Sequence, residues 1–363
     1  MRITFILADS FGCGYFRAIV PGKALREKGH EVHFINDWRD PNGVNCDVLV
    51  MQRQDSQEAI NAIGVARSRG IKVVHEFDDS FHVLPTTNPN YKVYRTGSEN
   101  TKKMETVCRM ADALIVSTPR LREEYVRFNP NAHICYNAIN DSDLKRFGYN
   151  GLSSDFKREG QIRIGFAGSD THRGDFSMIV KPLIRIFDEF TNVRMVFVGA
   201  DMRTMFPLEY RHCDQVEFAG ITTGKAYDRI ADIETKDLAT QKYYDLIHRS
   251  DFDIAVAPIE STSFNAQKSA LKEMEYGMLG IPSIASNFGP YRQYVKEASD
   301  RICLLADDEK QWYRHIKALI EDASLRESLI RANLEYVKSR HLISDRVEQW
   351  ERVFESLLKK NVA

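Results

Sequence analysis

Short, nearly continuous apolar runs recur along the chain, separated by stretches of helical spacing and by loops built on Gly, Pro, Asn and Asp. The runs at 3–8, 31–36, 47–52, 72–77, 113–118 and 133–140 read as buried strands of one parallel sheet. A second series follows at 163–168, 194–199, 216–219, 253–258, 283–286 and 301–306. Helical spacing fills the gaps. Residues 15–25 predict a helix kinked at Pro21, 56–69 one capped by Ser56 and stopped by Gly70, and 175–189 another. Strand alternating with helix, twice over, predicts an α/β protein of two Rossmann-like, doubly wound domains facing each other across a cleft. The expected division is 1–145, 146–342 and a terminal helix within 343–363, with Val347, Trp350, Phe354 and Leu357 on one side. Residues 85–101 read as a long flexible loop and 141–160 as a polar interdomain linker.

The densest chemistry lies in 264–286, FNAQKSALKEMEYGMLGIPSIAS. Ala, Leu, Lys, Glu and Met predict a helix over 266–279, closed by Gly280 and Pro282 and followed by a strand. On such a helix Lys268, Lys272 and Glu275 share a face, either as a solvated charged stripe or as a site. Two further places have the right chemistry. Asp78 and Asp79 end a predicted strand, where parallel sheets bind ligands. They could orient an acceptor hydroxyl and take its proton, or simply cap a turn. Gly12 and Gly14 follow the first strand; they turn the chain and could leave helix N–H groups free for an anion, but no third glycine completes a dinucleotide fingerprint.

Charge and cysteine content narrow the classes. The formal net charge of −1 over 363 residues gives no global basic field for nucleic acid or an anionic membrane. Six scattered cysteines form no C-x-x-C pair and read as small buried residues of a reducing compartment. The first strand begins at once, with no signal-peptide pattern before it, and no apolar run reaches membrane-spanning length; a cytoplasmic location is expected. Asp251-x-Asp253 has metal-site spacing but straddles the start of a predicted strand, so no metal site is expected there.

Lys268, Ser269, Leu271, Lys272, Glu275, Tyr276, Gly280, Ile281 and Pro282 match the pattern K-S-x-L-K-x-x-E-Y-x-x-x-G-I-P. This resembles the signature helix of retaining nucleotide-sugar glycosyltransferases with the GT-B fold. Other segments resemble the same family: G-C-G-Y-F-R-x-x-x-P (Gly12, Gly14, Tyr15, Arg17, Pro21), the E-x-D-D turn at Glu76, G-S-x-T-H-x-x-D (Gly168, Ser169, Thr171, His172, Asp175) and Gly289-Pro290-Tyr291. The family's P-N-x-I-D segment is met with Tyr136 for proline and Asn140 for aspartate. A second family glutamate, which touches the donor sugar, is Gln267 here, and Ser169 stands where relatives often carry an arginine.

The resemblance covers nearly the whole chain. It implies a nucleotide-diphosphate sugar as co-substrate and transfer with retention, without a resident cofactor or metal. It implies donor contacts from Gly12, Gly14, Gly168, Ser169, His172, Arg173, Lys268, Ser269, Lys272, Glu275, Gly289 and Tyr291. Glu275 would hold the ribose hydroxyls, and Arg173 with Lys268 would clamp the diphosphate. Tyr15, Arg17, Asp78 and Asp79 would face the acceptor, a glycan or other small hydroxyl compound. Catalysis would rest on Asp78, Asp79, Arg173 and Lys268. The last helix would cross back onto the first domain; its rival reading is a partner helix. Two other functions stay open: a non-catalytic sugar-nucleotide binder, and a DNA glycosyltransferase using Lys92, Arg95, Lys102 and Lys103.

Overall fold

The computed structural model describes residues 1–9, 12–150, 157–221, 236–298 and 300–359. The first sheet consists of β1 (Arg2–Ile6), β2 (Glu31–Ile35), β3 (Val48–Gln52), β4 (Lys72–Phe77), β5 (Ala113–Val116) and β6 (Ala132–Ile134). The second consists of β7 (Ile162–Gly168), β8 (Val193–Gly199), β9 (Val216–Gly220), β10 (Ile254–Ala257), β11 (Ser283–Ser286) and β12 (Leu304–Ala306). Their orders are β2-β1-β3-β4-β5-β6 and β12-β11-β10-β7-β8-β9, and every pairing is parallel. Each expected strand is present, though 133–140 and 301–306 shrink to three residues each. Strands such as β3 and β5 are buried along their whole length, which is why they read as continuous apolar runs.

Carboxyl ends of both sheets face the space between them. Asp9 lies beyond β1, Arg53 follows β3, Asp78 follows β4, Gly168 and Gly199 end β7 and β8, and Glu260 lies beyond β10; all line one cleft of about 590 Å³. The terminal helix Val347–Lys359 buries Val347, Trp350, Phe354 and Leu357. Trp350 packs on Phe5 of β1 at 6.1 Å and lies under the Arg17 guanidinium at 5.2 Å. Glu351 takes Lys28 and His30 of the first domain. The chain returns beside its own crossing point, where Ile139 donates to the His341 carbonyl at 2.8 Å and accepts from Ile343 at 2.9 Å. No helix among the described residues is long and apolar enough to cross a membrane.

Several local expectations are corrected. The stretch 141–160 is no plain linker: Asp141–Phe147 is a helix, capped by the Asn140 side chain on the Ser142 N–H at 3.1 Å. Its rest includes 151–156, outside the described residues. Nor is 85–101 without structure. A single turn spans Tyr91–Tyr94, and Ser98 caps the helix Glu99–Met110. The kink expected at Pro21 is a π-helical segment, Tyr15–Ile19, before it, closed by the Val20 N–H on the Tyr15 carbonyl. Pro21 is the second residue of the following helix, which continues the π turn without leaving helical backbone, so its missing N–H falls just where the helix widens.

Candidate functional site

Tertiary contacts reshape the signature segment. Its α-helix starts only at Leu271, after a 3₁₀ turn at Asn265–Gln267. Asn265 holds that turn through its N–H on Thr262 Oγ1 at 3.1 Å and its amide on Asp175 at 2.9 Å. Lys268 follows in extended conformation, so it does not share a helical face with Lys272 and Glu275. Three consecutive residues instead meet the first domain. The Gln267 carbonyl accepts from Thr118 Oγ1 at 2.8 Å, Lys268 Nζ bonds Asp79, and Ser269 Oγ accepts from Asn137 at 2.7 Å. These bonds override the helix propensity of the run. Gly280 does close the helix, at φ 68° in the left-handed region.

The second domain's wall is a connected polar network. Lys272 Nζ donates to Tyr243 OH at 3.0 Å and to Glu275 at 3.3 Å. Glu275 is buried yet lines the cleft. His172 Nδ1 lies 2.8 Å from Asp175, whose other oxygen accepts from the Glu260 N–H at 2.7 Å and from Asn265. Burial lowers the His172 pKa against the pull of Asp175. The neutral ring then carries its proton on Nδ1 and keeps Nε2 as an acceptor. A Cβ on Gly174 would stand 2.6 Å from Glu260 Oε2, so a side chain there would displace the Glu260 carboxylate. Ser169, bonded to Thr171 at 2.6 Å, and Gly168 line the same wall. The helix Gly289–Glu297 starts at the cleft without a side-chain cap; Pro290 and Tyr291 line it, while Gly289, at φ 51°, packs on Ala266 behind.

The first domain's wall leaves an acid oxygen unpaired, whereas on the second wall the buried oxygen without a partner among the described residues is the Thr240 hydroxyl. Asp79 takes Lys268 at 3.1 and 3.3 Å. Asp78 has a buried Oδ1 with no hydrogen-bond partner among the described residues. Burial, then the Asp79 charge, raises the Asp78 pKa. For Lys268 burial opposes the charge, but Asp79 beside it holds the pKa above the ordinary lysine value. Gly12, at φ 61°, lines the cleft. Residues 10 and 11 of the glycine loop lie outside the described residues.

Five expected residues are not brought to the cleft: Gly289, which packs behind it, and four others. Arg173 turns to Thr204 at 3.0 Å, Asp170 at 2.9 Å and the Asp201 carbonyl at 3.2 Å, so it forms no clamp with Lys268. Tyr15 is buried, with its hydroxyl on Asp143 at 2.5 Å. Arg17 is buried on Glu76 at 2.6 Å, the Cys135 carbonyl at 2.7 Å and Asn137 at 2.9 Å; it ties the two ends of the first domain together and does not face an acceptor. Gly14 gives its N–H to Asp9 at 2.9 Å, leaving it unavailable to an anion, and a Cβ there would meet the Asp9 carbonyl at 1.9 Å. Gln267, at the second glutamate's position, lines a separate shallow hollow instead. Asp251 and Asp253 lie before β10, outside the cleft lining, and accept from the Arg158 and Arg163 N–H groups.

Sequence reasoning missed Arg53, Asp9, Glu260 and an apolar ledge of Phe16, Phe81, Leu84 and Pro85. Arg53 pairs with Asp9 at 3.0 Å and holds φ 49°, a left-handed backbone rare for arginine. Its signal was available: like Asp78, it is a charge directly after a buried strand.

No family model matches the sequence, and no curated protein does so. Solved structures do resemble it. A glycosyltransferase from Rickettsia africae aligns with a TM-score of 0.64 over 99% of this chain and 98% of its own, at 10% identity. HepE of Anabaena, in complex with UDP and glucose, aligns at 0.65 over 98% and 100%, at 11% identity. Sucrose-phosphate synthase from Thermosynechococcus elongatus aligns at 0.63 over 99% and 100%, at 16% identity. With two parallel six-stranded sheets across a cleft, this chain has the GT-B glycosyltransferase fold.

Proposed function

We propose that the chain is a retaining, metal-independent glycosyltransferase. It moves a sugar from a nucleotide-diphosphate sugar, a UDP-sugar by analogy with the ligands of HepE, to a hydroxyl of an uncharged, glycan-type acceptor. One observation carries the reading: Lys268, Lys272 and Glu275 of one domain share a single cleft with Asp78 and Asp79 of the other. Glu275 holds the ribose hydroxyls. Lys268, Lys272 and the start of the Gly289–Glu297 helix receive the diphosphate as its charge grows. The bond from the sugar's anomeric carbon to the diphosphate oxygen breaks, and its electron pair leaves with the diphosphate. The acceptor oxygen bonds to the same face, its proton passing to Asp78. No enzymic nucleophile is needed.

Acceptor chemistry follows from charge. Asp9, Asp78 and Asp79 outnumber Arg53 on the first domain's wall, next to an apolar ledge. That suits the hydroxyls and apolar face of a sugar ring and repels a phosphate backbone, so a DNA acceptor is disfavoured. Of the four basic residues weighed for a DNA backbone, none lines the cleft, and Lys103 is held by Glu99 at 2.6 Å. The test is a panel of nucleotide sugars in thermal shift, followed by acceptor assays with neutral and anionic glycosides. A UDP-sugar is expected to raise Tm. Absence of stabilisation by any nucleotide sugar would refute the reading.

A further inference from the structure

Each lysine and arginine that lines the cleft among the described residues is already paired with a carboxylate: Arg53 with Asp9 at 3.0 Å, Lys268 with Asp79 at 3.1 Å, Lys272 with Glu275 at 3.3 Å. Six carboxylates line the cleft against these three cations. A diphosphate that draws on one of these described cations therefore takes it from an acid. The Lys268–Asp79 pair differs from the other two because it joins the domains. Lys268 lies outside the helix in an extended stretch, with its ammonium 4.4 Å above the Phe264 ring. Thr118 and Asn137 fix the residues on either side of it to the first domain. Its backbone is held while its side chain is free to exchange partners.

We propose that Asp79 stores Lys268 and yields it to the donor's diphosphate, so that donor binding itself releases Asp79 toward the acceptor. That the diphosphate belongs to a nucleotide sugar rests on the function proposed above; the exchange of partners rests on the cleft alone. Before exchange, Lys268 neutralises Asp79 and competes with any acceptor hydroxyl for it. After exchange, Asp78 and Asp79 stand side by side, and the remaining cation of that wall, Arg53, is engaged by Asp9. Two adjacent carboxylates without a counter-ion hold a proton more tightly than one paired with an ammonium. The pair thus becomes a better proton acceptor once the donor is seated. Binding is ordered, donor before acceptor.

This gives an affinity change of unusual sign. Removing an acidic residue of the acceptor wall should tighten diphosphate binding, because Lys268 no longer has to be drawn away. The experiment is calorimetric titration of inorganic pyrophosphate, and separately of UDP, in EDTA. The proteins are wild type, Asp79→Asn, Asp79→Ser, Lys268→Ala and the double variant Asp79→Asn/Lys268→Ala. Both Asp79 variants are expected to bind pyrophosphate about three- to fivefold more tightly, the size of a partly exposed ion pair. Lys268→Ala is expected to weaken binding about tenfold or more. Asp79→Asn should gain much less on the Lys268→Ala background than on wild type, since Asp79 acts mainly through the lysine and otherwise only by direct repulsion of the anion. Unchanged or weaker binding by both folded Asp79 variants overturns the exchange, as does an Asp79→Asn gain as large on the Lys268→Ala background as on wild type. A wild type that does not bind pyrophosphate also overturns it. If pyrophosphate behaves as expected but no nucleotide sugar is turned over, the exchange stands and the donor assignment falls. If a nucleotide sugar is turned over while Asp79→Asn gains nothing, the exchange alone falls.

Discussion

The two walls of the cleft are built from the same strand-and-helix units, yet they hold their polar groups differently. On the second domain's wall, Asp175 serves His172, the Glu260 N–H and Asn265, while Lys272 serves Tyr243 and Glu275. On the first domain's wall, Asp78 keeps an oxygen without a partner among the described residues, Arg53 sits at positive φ, and Asp79 is satisfied only by reaching across to Lys268. Acids and cations paired within one wall, as on the second domain, suit one fixed ligand in one geometry, although Thr240 Oγ1 there has no partner among the described residues. Open valences suit a wall that exchanges partners and protons during a reaction. The difference supports the proposed division, with donor recognition on one wall and acceptor chemistry on the other.

Breaking the acceptor wall should have the largest effect. Asp78→Asn removes the proton acceptor and is expected to slow transfer by about 10²–10⁴-fold while leaving UDP affinity within about twofold. Rates with saturating donor, set beside a UDP titration, check this. Equal loss of both would mean that Asp78 serves the nucleotide.

Within the donor helix, Glu273 and Glu275 face opposite ways and sharpen the contrast between core and site. Glu273 is fully buried with Ser283 Oγ on its carboxylate at 2.6 Å, and burial pushes its pKa from 4.5 up to about 7. The folded chain keeps this proton between about pH 4.5 and 7, where the unfolded chain has lost it. Stability therefore falls as pH rises through that window, by about 3 kcal/mol in all. Glu273→Gln should abolish the fall and raise stability at pH 8 more than at pH 5, with UDP binding unchanged. Urea unfolding at the two pH values decides it; an identical pH dependence in the variant would show that Glu273 is not the group. Glu275→Ala should instead weaken UDP binding by about 1.5–3 kcal/mol. Unaltered UDP affinity in the folded variant would remove Glu275 from the site.

The same contrast explains what could be read from the sequence. Lys268, Ser269, Lys272 and Glu275 fall within eight residues of one run, so local pattern was enough to collect them. The first wall is assembled from the ends of β1, β3 and β4, and their adjacency comes from the order β2-β1-β3-β4. No local pattern supplies that order, and Arg53 and Asp9 went unnoticed. Tyr15 and Arg17 were assigned to the acceptor by motif, but the π turn shifts the phase of the helix and both point into the core. Arg173 had a local competitor in view: Asp170, three residues earlier, holds its guanidinium. The smallest effect follows from that capture. Arg173→Ala is expected to change UDP affinity by less than about twofold, because it removes an exposed pair. A tenfold loss in the same titration would return Arg173 to the clamp.

Transfer without a metal tests the whole division of labour at once. Wild type is incubated with a UDP-sugar and a neutral glycoside in EDTA, and released UDP and the anomer of the product are measured. The account predicts UDP release at the same rate with and without EDTA, and a product that keeps the donor's anomeric configuration. Loss of release in EDTA, restored by magnesium or manganese, or a product of inverted configuration, would contradict it.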